Sequence, residues 1–336
     1  MTARTESNSG GLPLVTVLIG CYNQARFVVE NLESVRQQTY PRIQLIIWDD
    51  CSRDNSVEVI HSWIRRHNFA CTFLQHDINR GVCKSVNEAM ALARGQYICF
   101  VAADDIFMPD RIARQVQILE NSPSDVGVVY SDAFQIDENG RALPQMFIEA
   151  HRKMALPPEG FLFDVLFEGN FIPAMTTLVR RECFKQVGAY DEDLCYEDWD
   201  MWMRISRTFR FVYDKIPAAK YRIVSNSLSR TTSEEMLRSA DLLRVKYFSR
   251  GWLNAEQGRI AAPALYGAAC RLHELGSPIP LRWKGSLLKQ SCSAKAIALV
   301  VFSTCGISFL RFQQVRAFWK RLKSKFFRPQ RVHPHG

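Results

Sequence analysis

Short apolar runs alternate with stretches of helical periodicity over the first hundred residues of the chain. Brief apolar runs between turn-forming residues are typical of buried strands, and apolar positions three and four apart are typical of helices that pack one face. On this pattern the predicted strands are 14–19, 43–48, 71–75 and 96–102. The predicted helices between them are 25–38, 56–67 and 82–93. This alternation predicts an α/β fold with a mainly parallel sheet flanked by helices.

The chain beyond residue 108 follows a less regular pattern. The predicted helices there are 111–120, 161–168, 181–187 and 198–209. The predicted strands are 127–131 and 175–179, and 132–160 is expected to be irregular. Past about residue 232 the pattern is helical. The expected organisation is a disordered lead-in (1–13), one domain (14–230, with halves 14–108 and 109–230) and a helical extension (231–336).

Polar residues cluster directly after three of the predicted strands. The clusters are Cys21-Tyr22-Asn23, Asp49-Asp50-Cys51-Ser52-Arg53-Asp54 and Ala102-Ala103-Asp104-Asp105. Asp and Asn also favour turns and helix caps, so each cluster alone has an ordinary structural explanation. Because ligands of parallel sheets bind at the carboxyl ends of the strands, the shared placement favours a binding site. Carboxylate pairs suit Mg²⁺ or Mn²⁺, and the sequence contains neither glycine-rich phosphate motif.

A second acidic stretch precedes an apolar helical pattern in the second half of the chain. It contains Tyr190-Asp191-Glu192-Asp193 and Glu197-Asp198-Trp199-Asp200. Acids at the start of a helix can simply stabilise it through the helix dipole. A carboxylate beside an apolar wall can instead have a raised pKa and act as a general base, and Asp198 is the candidate for that role.

Taken in order, these stretches resemble family 2 glycosyltransferases, which have the GT-A fold, a Rossmann-like mainly parallel sheet. The matching stretches are 15–23, 37–41, 48–56, 79–81, Asn87, 95–105, 180–188, 191–192 and 197–200. The resemblance keeps the order and spacing of the family over roughly residues 14–230. It implies an enzyme that uses a nucleotide-diphosphate sugar.

The resemblance assigns roles to residues at the strand ends. Tyr22 matches the position that packs on the nucleotide base, and Asp50 the acid that hydrogen-bonds the base, most often uracil. Asp104 matches the acid that coordinates Mn²⁺ or Mg²⁺ on the diphosphate, and Asp105 lies beside it as a second metal candidate. Many relatives have a further Asp where this chain has Ala102, so weaker metal affinity is open.

On the acceptor side, the resemblance makes Asp198 the catalytic base, with Glu197 and Trp199 as its neighbours. Arg222 falls where the family often has a basic residue near the diphosphate, and a salt bridge on a surface loop is the alternative. The histidine usual shortly after that position is replaced by Val224.

The implied reaction is a single inverting displacement. Asp198 removes a proton from an acceptor hydroxyl, and the metal at Asp104 stabilises the leaving diphosphate. A UDP-sugar is the expected donor and a glycan or lipid-linked molecule the expected acceptor, in bacterial-type surface polysaccharide or glycoconjugate synthesis. The alternative is an inactive relative that binds nucleotide and serves as a scaffold subunit.

Charge is unevenly distributed along the chain. The last 62 residues, from Leu275, contain 12 Lys and Arg and no acid, whereas the rest carries 31 basic and 34 acidic residues. The run 296–310 has no charged residue and is either a buried helix or a membrane-dipping segment. The pattern from 311 predicts a basic amphipathic helix on an anionic membrane. Nucleic-acid binding is the weaker rival, because the body is acidic and no such motif occurs.

The start of the chain, its apolar runs and its cysteines indicate the cellular compartment. The start, Met1 to Gly11, is polar, and no run reaches 18 apolar residues. The ten cysteines form no C-x-x-C pair and no zinc pattern, which indicates reduced thiols. We therefore expect a cytoplasmic protein held peripherally on the cytoplasmic face of a membrane.

Overall fold

The structure is a computed structural model. It describes residues 11–152, 156–224, 234–274, 279, 284–285, 287–289 and 294–305. The chain divides into two compact units, 1–233 and 234–336.

The first half of unit 1 is a regular β-α alternation. Its elements are β1 (Val15–Cys21), α1 (Val28–Arg36), β2 (Ile43–Asp49), α2 (Ser56–His67), β3 (Cys71–Gln75), α3 (Val82–Leu92) and β4 (Tyr97–Ala102). The four strands pair in parallel in the order β3-β2-β1-β4. Val15, Val17, Leu18 and Ile19 are all buried, because helices cover both faces of a parallel sheet. The carboxyl ends of β1, β2 and β4 consequently share one edge.

Antiparallel strands extend this sheet in the second half of the unit. The elements are β5 (Ile106–Phe107), α4 (Arg111–Glu120), β6 (Val126–Ile136), β7 (Ala142–Met146), α5 (Phe147–Arg152), α6 (Phe163–Glu168), a 3₁₀ turn (Ala174–Thr176), β8 (Leu178–Arg180), α7 (Arg181–Val187), α8 (Asp198–Ile205) and β9 (Arg210–Arg222). Strand β8 pairs antiparallel with both β4 and β6, and β9 runs parallel to β6.

Two sequence predictions are wrong in this half, and one strand was missed. Residues 132–160 are not irregular, since β6 runs on to Ile136 and is followed by β7 and α5. The expected strand at 175–179 is the 3₁₀ turn followed by β8. Strand β9 was not predicted, because Asp214, Lys215 and Pro217 interrupt its apolar pattern. Its pairing with β6 crosses more than 80 residues of chain and supplies the burial that the local pattern does not indicate.

A glycine allows two large rings to pack at the end of the sheet that carries the polar clusters. Trp48 near the end of β2 and Phe100 in β4 stack with their centroids 5.4 Å apart. Both rings cross Gly20 of β1, where a Cβ atom would lie 2.6 Å from the Trp48 ring. A larger residue at that position would displace these rings and with them the strand ends that they support.

Unit 2 is helical over the residues that the structure describes. Most of its described residues belong to α9 (Glu234–Arg250), α10 (Ala255–Glu274) and α11 (Ala294–Thr304). Ala296, Leu299 and Val300 of α11 are buried in a cluster that also contains Leu265 and Phe248. The described part of the charge-free run 296–310 is therefore a packed helix. Among the described residues no helix is long and apolar enough to span a membrane, and the predicted amphipathic helix from 311 lies outside them.

Candidate active site

The loops that follow β1 and β2 are joined by hydrogen bonds. Asn23 has a positive φ of 55°, and its backbone amide donates to Ser52 Oγ at 2.8 Å. Its side-chain Oδ1 accepts from the Arg53 amide at 2.7 Å, and Ala25 N–H donates to Asp54 at 3.0 Å. Turn and cap formation therefore explains part of these clusters. The joined loops leave the neighbouring Tyr22 side chain on the rim, where it is 41% exposed.

Asp50 is buried and nearly saturated with hydrogen bonds. Its Oδ1 accepts from the Arg80 backbone amide at 2.8 Å and lies 2.9 Å from His76 Nδ1, and its Oδ2 accepts from the Gly81 amide at 2.9 Å. Gly81 has a φ of +81°, so a glycine is favoured at this turn. A carboxylate has about four acceptor positions, and one on Oδ2 remains for a ligand.

Asp104 follows β4, and few protein groups stabilise the negative charge of its carboxylate. The residue is 9% exposed, and its Oδ2 accepts a long hydrogen bond from Gln24 Nε2 at 3.4 Å. Burial raises the pKa of Asp104. A divalent cation would supply the missing charge, and hard oxygen donors suit Mg²⁺ and Mn²⁺. No group of three or more His, Cys, Asp or Glu side chains converges within the described ranges. Diphosphate oxygens and water would have to complete the coordination shell.

Asp105 does not fit the role of second metal ligand. It is 2% exposed, and its Oδ1 accepts the backbone amide of Arg222 at 2.9 Å. Burial and the neighbouring charge of Asp104 raise the pKa of Asp105 well above its usual range. Its backbone oxygen accepts from Asn31 Nδ2 at 2.8 Å. The residue thus joins α1, the β4 end and β9 from the inside of the protein.

Arg222 is buried at the end of β9, which rules out the alternative that it lies on a surface loop. Its Nε donates to the Asp104 backbone oxygen at 2.9 Å, and its Nη2 pairs with Glu30 at 2.5 Å. The guanidinium also lies 4.8 Å from the centroid of the Phe27 ring. These contacts make Arg222 a support for the backbone that carries Asp104. Direct contact of Arg222 with a diphosphate stays a prediction.

Asp198 and Glu197 stand side by side where α8 begins. Asn170 Nδ2 donates to Asp198 Oδ2 at 2.6 Å, and the Trp199 amide donates to Oδ1 at 2.7 Å. Burial nevertheless raises the pKa of Asp198 to about 6. Burial and the charge of Asp198 raise the pKa of Glu197 further, to about 8. The Trp199 ring is fixed by its Nε1, which donates to Leu166 O at 2.7 Å. A carboxylate with this pKa can take up a proton near neutral pH, which is the property that the predicted role of Asp198 requires.

One cavity brings this acid pair against β4, the strand whose end carries Asp104. The residues that line it are Ile98, Cys99, Phe100, Ala174, Thr177, Val179, Phe184, Tyr190, Glu197, Asp198 and Trp202. Asn87 of α3 holds the loop on the approach to α8. Its side chain donates to Tyr190 O at 3.0 Å and accepts from Tyr190 N–H at 2.9 Å. The structure thus links α3 and β4 of the first half to the acids of the second.

Asp200, on the same helix as Asp198, has a structural role. It is 1% exposed and pairs with Arg204 at 2.8 Å. Arg204 also donates to the backbone oxygens of Val187, Gly188 and Ala189, and so caps the end of α7. An acid with a buried cationic partner is a poor general base, which leaves Asp198 as the base candidate of this helix.

Four further residues of the site were not found from the sequence. They are Gln24, Glu30, His76 and Asn170. Each acts on a candidate residue that is distant in sequence, so no local spacing marks it.

Comparison with known proteins decides the family. Residues 16–188 match the model described as Glycosyl transferase family 2. The chain belongs to glycosyltransferase family 2. It is 30% identical over 233 residues to an uncharacterized glycosyltransferase of Methanocaldococcus jannaschii, a match covering 67% of this chain and 76% of the relative. It is 26% identical to TuaG of Bacillus subtilis, described as a putative teichuronic acid biosynthesis glycosyltransferase, over 65% of this chain and 82% of the relative.

Solved glycosyltransferase structures share the fold. A crystal structure of S. aureus TarS in complex with UDP-GlcNAc matches with a TM-score of 0.59 and 18% identity, over 92% of both chains. The mannosyltransferase PcManGT from Pyrobaculum calidifontis, in complex with GDP-Man and Mn²⁺, matches with a TM-score of 0.56 and 17% identity, over 92% of this chain and 88% of the other. The predicted GT-A type α/β fold is confirmed.

Proposed function

We propose that this glycosyltransferase transfers a sugar, with inversion, from a UDP-sugar to a hydroxyl of a glycan or lipid-linked acceptor. The observation that carries the proposal is the position of Asp198: it lines a cavity together with β4, is oriented by Asn170, and has a raised pKa. Uracil as the base is supported by the UDP-GlcNAc and UDP complexes of TarS. PcManGT binds GDP-Man, so guanine is the competing base.

In the proposed reaction Asp198 takes the proton of the acceptor hydroxyl. The resulting oxygen attacks the anomeric carbon from the face opposite the nucleotide, and the bond to the diphosphate oxygen breaks. A base whose pKa lies near the working pH contributes about 10² to 10⁴ in rate. Tyr22 would pack on the base of the nucleotide, and Asp50 would accept a hydrogen bond from its edge. Asp104 would hold Mn²⁺ or Mg²⁺, which would neutralise the negative charge on the diphosphate.

A panel of nucleotide sugars, assayed for release of nucleotide diphosphate with candidate acceptors and Mn²⁺, tests the proposal. We expect turnover with at least one UDP-sugar and its loss with a chelator. The scaffold alternative rests on Ala102, where an acid is missing. It predicts nucleotide binding in calorimetry with no turnover of any donor, which would contradict the enzymatic proposal.

The proposed acceptor is a surface glycan or its lipid-linked precursor. The relationship to TuaG, described as a putative teichuronic acid biosynthesis glycosyltransferase, supports it. For such an acceptor we propose that the protein works at the cytoplasmic face of a membrane, through residues 311–336, which carry eight basic and no acidic residues. Deletion of 311–336 should release the protein from anionic vesicles in cosedimentation, and high salt should weaken binding of the full chain. Equal pelleting of both proteins would contradict this anchor.

A further inference from the structure

We propose that His76 is a positioning residue for Asp50, and that it sets the base preference of the donor site by fixing the Asp50 carboxylate. This inference rests on the proposed function, in which Asp50 meets the nucleotide base. His76 belongs to none of the stretches that carry the family resemblance.

His76 lies between two carboxylates just after β3. The residue is 5% exposed, its Nδ1 is 2.9 Å from Asp50 Oδ1, and its Nε2 is 3.3 Å from Glu88 Oε2. Glu88 also pairs with Arg80 at 2.9 Å. The backbone amide of His76 donates to Asp49 O at 3.0 Å, which fixes the backbone of His76 at the end of the sheet. The closer contact is the one to Asp50.

The three donors on Asp50 determine which oxygen a base can reach. The Arg80 amide and the His76 ring occupy Oδ1, while the Gly81 amide occupies one position on Oδ2. Because both oxygens accept hydrogen bonds, the carboxylate of Asp50 cannot rotate freely. The lone pair of Oδ2 that remains unused therefore points in a fixed direction. An ionised carboxylate only accepts hydrogen bonds. At the ring nitrogen it therefore favours uracil and guanine, whose N–H donates, over cytosine and adenine, whose corresponding ring nitrogen is an acceptor and would be repelled.

Two substitutions separate the contacts of the ring. In H76N the amide nitrogen takes the place of Nδ1, so a donor to Asp50 is kept. In H76Q the amide nitrogen takes the place of Nε2, which faces Glu88, so the donor to Asp50 is lost. Both variants remove the ring. A difference between them therefore reports the bond to Asp50 and not the loss of packing.

The test is calorimetry of the full chain with Mn²⁺ and UDP, GDP, CDP or ADP. We expect H76N to keep the affinity of wild type for the preferred nucleotide within about threefold, and H76Q to lose about tenfold, since bonds to charged groups are among the stronger ones. Affinity for the disfavoured nucleotides should stay the same in H76Q, so that discrimination falls. With saturating donor, kcat of H76Q should stay within twofold while KM rises. The double variant H76Q/D50N should bind the preferred nucleotide almost as well as D50N alone, because both substitutions remove the same contact.

Two results would overturn the inference. In one, H76Q keeps the nucleotide preference of wild type. In the other, H76N and H76Q lose affinity equally for all four nucleotides, as a purely structural role predicts. Thermal unfolding of each variant excludes loss of the fold as the cause. A wild-type protein that binds none of the four nucleotides would overturn the proposed function and this inference together.

Discussion

Removal of the Asn170 amide should shift the pH dependence of turnover toward alkaline pH. Asn170 Nδ2 donates to Asp198 Oδ2 at 2.6 Å, a bond that favours the ionised carboxylate. Burial disfavours the ionised form of Asp198, and the Asn170 hydrogen bond partly offsets this effect. Without that bond, the pKa of Asp198 rises above its value of about 6. A general base works only when ionised, so the acid limb of kcat must move in the same direction as this pKa.

The size of the shift follows from the strength of the lost bond. A hydrogen bond to a charged group contributes about 1.5–3 kcal/mol, and one pKa unit corresponds to about 1.4 kcal/mol. The acid limb should therefore move up by about one to two pH units in Asn170→Ala. At neutral pH the ionised fraction of Asp198, and with it turnover, should fall by about two- to tenfold, and turnover should recover toward the wild-type rate at alkaline pH.

The assay is kcat at saturating donor and acceptor across the pH range, with Asn170→Asp as the matched variant. Asn170 Oδ1 also accepts the Ile172 amide at 3.1 Å, which Asp keeps and Ala loses. Asp, however, replaces the donor to Asp198 with a second carboxylate, so its acid limb should shift at least as far as that of Ala. An unmoved limb in Asn170→Ala, or wild-type behaviour of Asn170→Asp, would refute this assignment of the base and its partner.

Two further predictions concern the metal and the fold. Asp104→Ala should weaken binding of nucleotide diphosphate about tenfold or more in the presence of Mn²⁺ and have little effect in its absence; equal calorimetric affinity of the wild type with and without Mn²⁺ would remove the metal from the account. Arg204→Met should lower the free energy of unfolding by about 3–5 kcal/mol, because it removes the buried cation that pairs with the carboxylate of Asp200. Urea unfolding measures it, and Arg210→Met, at the exposed pair with Asp125, should change stability far less.

Elements with a strong local pattern could be predicted residue by residue. Helices α2 and α4 and strand β3 begin and end where the apolar periodicity and the turn residues put them. Strand β9 could not be predicted in this way. It is stabilised by pairing with β6, and its polar interruptions hide it from a local reading. The same distant pairing buries Arg222, which from sequence alone resembles a loop residue.

The candidate site follows the same division. The strand-end rule gave the places of Tyr22, Asp50 and Asp104, because chain order and sheet topology fix where parallel strands end. Which way each carboxylate faces depends on partners that are far away in sequence. Asp105 differs from Asp104 because β9 returns to it across 117 residues of chain. Asp198 depends on Asn170, which no spacing rule connects with an acidic helix start.

Asp198→Asn tests the central claim most directly, with turnover and donor affinity measured on one preparation. The substitution keeps the size of the side chain and removes only its capacity to take a proton. The account predicts donor affinity within about threefold of wild type and turnover lower by at least about 10². Turnover at the wild-type rate would contradict the assignment of Asp198 as the base of a glycosyl transfer.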